Sequence, residues 1–292
     1  MSAPSPEPAG RTLAVQQAAS GDHLCSFHGT PEQQRRLATA FVASALGTGD
    51  RVVYVAGEGD PAAIGRSLSE RGIDAAEPLR TGQLTVLDWA AINGSATEMD
   101  VEAVRAAYRD EADRSRAVGF PGLRVAAEMD PVVDALGSVE RLMDWEDAVG
   151  QTFHDAEITA VCQYDAGRVA GAAQERLVAV HTAVAIDDGT VPLATFNATE
   201  APDELRVAGE LDLSTAPVLA RALRARASQE ARLRVDVGGV SFIDVTALRT
   251  MFEVAEELPG GSVLKLQSAP AQLIRLLRLL RWEDRRVHLD QQ

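Results

Sequence analysis

Val240-Ser241-Phe242-Ile243-Asp244-Val245-Thr246-Ala247-Leu248 reads as a buried strand, a tight turn and the start of a helix within nine residues. Asp244 falls at the bend, and Val245 and Thr246 occupy the first helical turn. A helix start exposes unpaired backbone N–H groups and the positive end of the helix dipole, so it is a natural place for a partner to dock. Upstream, the segment from Val207 to Ala216 ends one strand and caps another helix through Asp212, Leu213, Ser214 and Thr215. Leu233 to Val237 supplies the strand between the two turns.

A chain of 292 residues is too long for one ordinary core, which predicts two domains. The formal net charge of −15 argues against binding to a nucleic-acid backbone. Two cysteines, Cys25 and Cys162, make no disulfide framework and fit a reducing, cytoplasmic setting. No apolar run reaches the roughly 20 residues that a membrane helix needs, and no membrane association is expected. The first ten residues are rich in Pro, Ala and Ser and lack a basic start and an apolar centre, so residues 1–20 are read as a disordered tail rather than a signal peptide.

Between the tail and about residue 188, strands alternate with helices. The strands are read at His23 to Phe27, Arg51 to Ala56, Gln83 to Leu87, Leu123 to Ala127, Ile158 to Gln163 and Ala183 to Ile186. Helices open at Pro31 behind Thr30, at Asp60-Pro61, at Asp100, at Val139 and at Ala170. Such alternation builds a parallel sheet covered by helices on both faces. Ligands of these sheets sit beyond the carboxyl ends of the strands. The candidate ligand-binding residues are therefore Phe27, His28, Glu58, Asp88, Trp89, Glu128, Met129, Tyr164 and Asp165, a mixture of aromatic, thioether and carboxylate groups suited to a small molecule. The ordinary reading of the same positions is helix capping and turn formation.

The loop His28-Gly29-Thr30-Pro31-Glu32-Gln33 stands where a phosphate-binding loop would stand, yet it has no lysine, and Glu32 would repel phosphate. Lys265, far along the chain, is the sole lysine of the sequence. His23, Cys25 and His28 invite a metal reading, because the first two share a strand face and suit zinc or copper. Cys162 and His181 would complete that set only if the fold brings them near; the plain alternative is buried thiols and ordinary histidines, and no metal or other cofactor is expected. A serine hydrolase elbow is missing. The arginines of the stretch from Gln272 to Arg281 repeat opposite a leucine stripe, as in an amphipathic helix packed on a sheet.

The run from GELDLSTAP (209–217) to VSFIDVTALRTM (240–251) resembles a STAS domain, the anti-sigma factor antagonist type of module, over about the last third of the chain. The ordered motifs DHLCSFHGTPEQ, RVVYVAGE, RGID, GQLTVLD, GFPGLRVAAEMD and VCQYDAGR resemble the MEDS domain, a sensory module of methanogen and methylotroph regulators. The second resemblance implies kinship with P-loop ATPases, a RecA-like fold with a degenerate P-loop, and the sensing of a small organic ligand. His28 departs from it, since an aromatic residue is common there. The first implies a partner that is an anti-sigma factor or a serine/threonine kinase of the anti-sigma type, contacted through Asp212, Ser214, Asp244, Val245 and Thr246. In phosphorylation-regulated members the residue after the turn aspartate is a serine. Here it is Val245, and the nearest hydroxyl belongs to Thr246, which is either modified in its place or merely caps its own helix.

These readings predict an α/β chain with a MEDS-like sensory domain at residues 21–188 and a STAS domain at 189–292. The expected function is that of a regulator without enzymatic activity, in which a small ligand controls the STAS surface. The alternative is a nucleotide-binding or nucleotide-hydrolysing first domain docked through the STAS module.

Overall fold

The computed structural model describes residues 11–57, 60–93, 99–190, 192–199, 201, 203–227, 232–258, 262–280, 282 and 286–290. The first body contains strands β1 (Thr12–Ala14), β2 (His23–His28), β3 (Arg51–Ala56), β4 (Leu84–Asp88), β5 (Leu123–Glu128), β6 (Thr159–Asp165) and β7 (Ala183–Ile186). They form one fully parallel sheet in the order β1-β7-β2-β6-β5-β3-β4. β3 is buried at every position, as its unbroken apolar run predicts for a strand covered on both sides.

Helices α1 (Pro31–Thr48) and α2 (Ala63–Glu70) cover one face of this sheet. Helices α5 (Val101–Val118), α7 (Val139–Asp155) and α8 (Ala172–Val180) cover the other. The division follows from right-handed crossovers: connections that step one way along the sheet place their helices on one side, and those that step back place them on the other. Short helices α3 (Ala76–Thr81), α4 (Trp89–Asn93) and α6 (Asp130–Leu136) fill the remaining connections.

Thr30, the expected cap of α1, accepts from a first-turn amide, and Asp100 and Ser138 do the same for α5 and α7. α6 was not expected from the sequence, although Pro131 at its start and the left-handed Gly137 at its end bracket it. The expectation of a disordered tail over residues 1–20 also needs correction. Residues 1–10 lie outside the described residues, but β1 pairs with β7 and buries Leu13, and Val15 in the following turn is fully buried. That short apolar run covers an otherwise open sheet edge.

The second body contains β8 (Ala194–Ala198), β9 (Glu204–Leu211), α9 (Ala216–Arg226), β10 (Arg232–Ile243), α10 (Val245–Glu257), β11 (Val263–Gln267), α11 (Ala271–Leu280) and β12 (Val287–Leu289). Its sheet runs β12-β11-β10-β9-β8, parallel except for β8, which pairs antiparallel with β9. Alternation in β9 and β11 buries Leu205, Val207, Leu264 and Leu266 against Leu219, Leu223, Leu248 and Met251 of α9 and α10. The two strand stretches expected at 233–237 and 240–243 are one strand, β10, with register shifts near Gly238 and Gly239. A Cβ on Gly239 would lie 2.7 Å from Ala208 Cβ, which explains the residue at this close approach.

The two bodies meet at the amino-terminal ends of β3, β4 and β5. Gln83, fully buried, donates from Nε2 to Phe196 O (3.0 Å) and Asp50 O (3.3 Å), and its Oε1 accepts from Ala198 N (2.8 Å). One carboxamide thereby pairs the outer edge of β8, which would otherwise present bare backbone groups. Asp50 is bridged by Arg124 of β5 (2.8 Å) and by Arg221 of α9 (3.0 Å). Arg226 donates to Val118 O (3.1 Å) and lies over the Phe120 ring at 5.0 Å. Among the described residues no helix is long and apolar enough to cross a membrane.

Candidate functional site

β2 and β6 are neighbours whose following helices, α1 and α8, lie on opposite faces, and the same holds for β3 and β5 with α2 and α7. Two crevices therefore open at the carboxyl ends of these pairs. Phe27, His28, Tyr164 and Asp165 end the first pair; Glu128 ends β5 of the second, which Gly57 and Met129 follow. Glu58 lies outside the described residues.

At the second crevice Glu128 Oε2 accepts from Gly57 N (2.8 Å) and Oε1 accepts from the Tyr54 hydroxyl. Burial, then the Glu128 charge, pushes the Tyr54 phenol well above its ordinary range. Trp89 Nε1 donates to Glu128 O (2.7 Å). At the first crevice the Phe27 and Tyr164 rings stack at 5.8 Å, and Asp130 Oδ1 accepts from Asp165 N (3.4 Å). His28 is buried, with its Nδ1 unpaired among the described residues. Burial lowers its pKa against the opposing pull of Asp130, Asp165 and Glu128. A cleft of about 350 Å³ beside it is lined by Phe27, His28, Gln33, Leu37, Ile186 and Asp187.

The predicted set is thus only partly gathered at the crevices. Trp89, Met129 and Tyr164 are buried in the core beneath α5 and α7, and Asp88 is exposed and caps α4 through Ala91 N (2.8 Å). His28, Glu128 and Asp165 remain at the crevice mouths. In the loop after β2, Gln33 Oε1 accepts from Gly29 N (2.8 Å) and Thr30 Oγ1 accepts from Gln33 N (3.2 Å). Two amides of this loop, those of Gly29 and Gln33, are thus occupied by its own side chains rather than free for a phosphate.

A second cluster lies away from the crevices, nearer the amino-terminal ends of the strands, and mixes residues expected and unexpected. His23 of β2, Cys162 of β6, Glu146 of α7 and His181 between α8 and β7 converge so that one ligand atom of each lies within 4.8 Å of every other. Cys25 and His28 are not members of the group, so the metal reading built on His23, Cys25 and His28 fails in its details. His23 and Cys25 both belong to β2, but Cys25 points its thiol to Ala183 O (3.8 Å), and His28 sits at the far end of the strand. Cys25 and Cys162 are register partners on adjacent strands, and both are free thiols. Burial pushes the Cys25 thiol up to about 12 and the Cys162 thiol well above its usual range, so neither is a ready nucleophile. Glu146 was missed in the sequence, although the spacing Leu142, Glu146, Val149, Phe153 places a carboxylate in the apolar stripe of α7.

At the carboxyl ends of β9 and β10 the second body presents both expected turns. Asp212 Oδ1 accepts from Ser214 N (2.8 Å), Ser214 Oγ (2.6 Å) and Thr215 N (3.1 Å), and these bonds, the Ser214 hydroxyl first, hold its carboxyl below the ordinary range. Asp244 caps α10 by accepting from Ala247 N (2.8 Å), and its own N–H donates to Leu211 O (2.9 Å), tying the turns together. The cap is therefore Asp244 and not Thr246, which is half-buried beside it. Leu213, Phe242 and Val245, apolar residues at or beside the two acidic turns, are 72, 43 and 41 % exposed.

Comparison with known proteins places these features. A family model described as the MEthanogen/methylotroph, DcmR Sensory domain matches residues 22–182, and one described as Mlab, STAS domain matches residues 194–289. The anti-sigma-B factor antagonist of Bacillus subtilis (strain 168) is 37 % identical over 84 residues, which are 28 % of this chain and 75 % of that protein. A KaiC-like protein from Pyrococcus horikoshii aligns at 13 % identity over 65 % of this chain and 80 % of that one, with a TM-score of 0.42.

Proposed function

Because this chain belongs to the MEDS sensory family and carries a STAS domain behind it, we propose that it is a signalling regulator in which a small ligand at the first body's crevices governs how the STAS surface meets an anti-sigma factor. The observation that carries this reading is the exposure of Leu213, Phe242 and Val245 at the turns that hold Asp212, Ser214, Asp244 and Thr246, on a module that matches most of an anti-sigma-B factor antagonist. The surface is apolar at Val245, where a phosphorylatable hydroxyl would stand, so a partner meets Val245 directly. Control then rests with the sensory body. The regulator has no turnover of its own; the self-occupied amides of the loop after β2 support this.

Ligand control requires that the ligand bind two arrangements of the chain with different affinity. β3 links the two ends of such a mechanism, running from the Asp50 interface to the Gly57–Glu128 crevice, about 20 Å at the usual rise of a strand.

The test is a native capture from the source cells with the full chain as bait, followed by mass analysis of co-purifying proteins and small molecules. An anti-sigma-type kinase held by the wild type and lost from Leu213→Asp and Val245→Asp variants is the expected result. Capture unaffected by both substitutions overturns the assigned surface. Phosphate found on Thr246 after incubation with that kinase and ATP overturns constitutive docking, whereas a Val245→Ser variant that gains phosphate where the wild type shows none supports it. Phosphate release from ATP and magnesium, abolished by Glu128→Gln, would instead favour a nucleotide-hydrolysing first body.

A further inference from the structure

We propose that His23, Glu146, Cys162 and His181 form a zinc-class metal site within the sensory body. All four ligand atoms lie within 4.8 Å of one another, and three of their separations match the edges of a tetrahedral ligand set. His23 Nε2 lies 3.3 Å from Cys162 Sγ and 3.5 Å from Glu146 Oε2, and His181 Nε2 lies 3.5 Å from the same Oε2. Zinc bonds of about 2.0–2.3 Å to nitrogen, oxygen and sulfur give tetrahedron edges of roughly 3.3–3.8 Å.

Two atoms of the cluster lack an alternative use. Glu146 Oε2 and His181 Nε2 are buried without a hydrogen-bond partner among the described residues, and the side chains of both residues are 0 % exposed. A packed interior does not ordinarily leave a carboxylate oxygen and an imidazole nitrogen facing each other unpaired. Their other atoms are held as the outer partners of metal ligands are held. His181 Nδ1 is 2.7 Å from Leu177 O, so a proton there donates to the carbonyl and leaves the Nε2 lone pair aimed at the cluster. Glu146 Oε1 accepts from the Tyr164 hydroxyl.

Charge favours the same conclusion. One thiolate and one carboxylate neutralise a divalent cation, and two neutral imidazoles complete the set, so the loaded site adds no net charge to a dry interior. The thiol and carboxyl protons leave to solvent as the metal enters. Entry is provided by a cleft of about 210 Å³ lined by Gly21, His23, Glu146, Gly150, His154 and Thr182. Gly150 keeps it passable: a Cβ there would lie 2.8 Å from His23 Nδ1. With four protein ligands no coordination position stays open for a reactive water, so the metal braces β2, β6, α7 and the α8–β7 turn.

The experiment uses the untagged full-length chain, purified without added metal and again after incubation with excess zinc or cobalt(II) and desalting. Elemental analysis is expected to find about one metal per chain, and the cobalt form to show a thiolate-to-cobalt charge-transfer band with tetrahedral d–d intensity. Cys162→Ser and His181→Gln should lower bound metal by roughly tenfold or more, while Cys25→Ser, one strand position from the set, retains the band. X-ray absorption on the wild-type zinc form needs no variant to fold and should give one sulfur and three nitrogen or oxygen neighbours. Trace metal only under both treatments, cobalt bound without the thiolate band, or a band lost in Cys25→Ser and kept in Cys162→Ser overturns the site.

Discussion

Replacing Gln83 by alanine tests whether the two bodies act as one unit. The carboxamide makes two hydrogen bonds across the interface, to Phe196 O and from Ala198 N, and a third within the first body, to Asp50 O, at a fully buried position. Its removal strands the Ala198 N–H, at about 1–3 kcal/mol, and weakens the two carbonyls, which have a second lone pair, by about 1 kcal/mol together. The expected loss is about 2–4 kcal/mol, concentrated at the β8 edge rather than in either core. Scanning calorimetry is expected to show one transition for the wild type and two for the variant, the second body melting first. Gln83→Met keeps the volume and removes the hydrogen bonds, so it should behave like the alanine variant. A change below about 0.5 kcal/mol with one coincident transition would refute the assignment of coupling to this side chain.

Gly209 has φ +96°, and a Cβ there would lie 2.2 Å from Leu193 O, so Gly209→Ala should destabilise the β8–β9 pair by about 3 kcal/mol or more in urea unfolding; a loss under about 1 kcal/mol contradicts the geometry. Asp244→Ala removes the α10 cap and is expected to cost about 1 kcal/mol, with Asp244→Ser recovering most of it by the same measurement. His28 is held below its ordinary pKa of 6.5 by burial, against Asp130, Asp165 and Glu128. The unfolded chain therefore takes up this proton first, and the group's contribution to stability falls as the pH drops below 6.5. An NMR titration that places the His28 midpoint above 6.5 would reverse that sign.

Periodicity and capping are local, and they were legible before any fold was known. The unbroken apolar run of β3, the cap Thr30, the helix start at Asp100 and the alternation of strand with helix all follow from neighbours within a few residues. The ordered motifs carried the family resemblance on the same local basis. β1 was illegible because a three-residue edge strand has too little pattern of its own and exists through β7. Which side chains converge was decided only by the strand order. Trp89 and Tyr164 stand at strand ends, as ligand-facing residues do, yet the covering helices α5 and α7 draw them into the core. Gln83 reads as an ordinary strand start until the second body places an unpaired edge against it. Glu146 interrupts an apolar stripe, a signal that a polar group is to be buried, but nothing in one helix says what it will face. His23, Cys162 and His181 lie up to 158 positions apart in the chain (181 − 23), and they meet because β6 and β7 flank β2 in the parallel sheet.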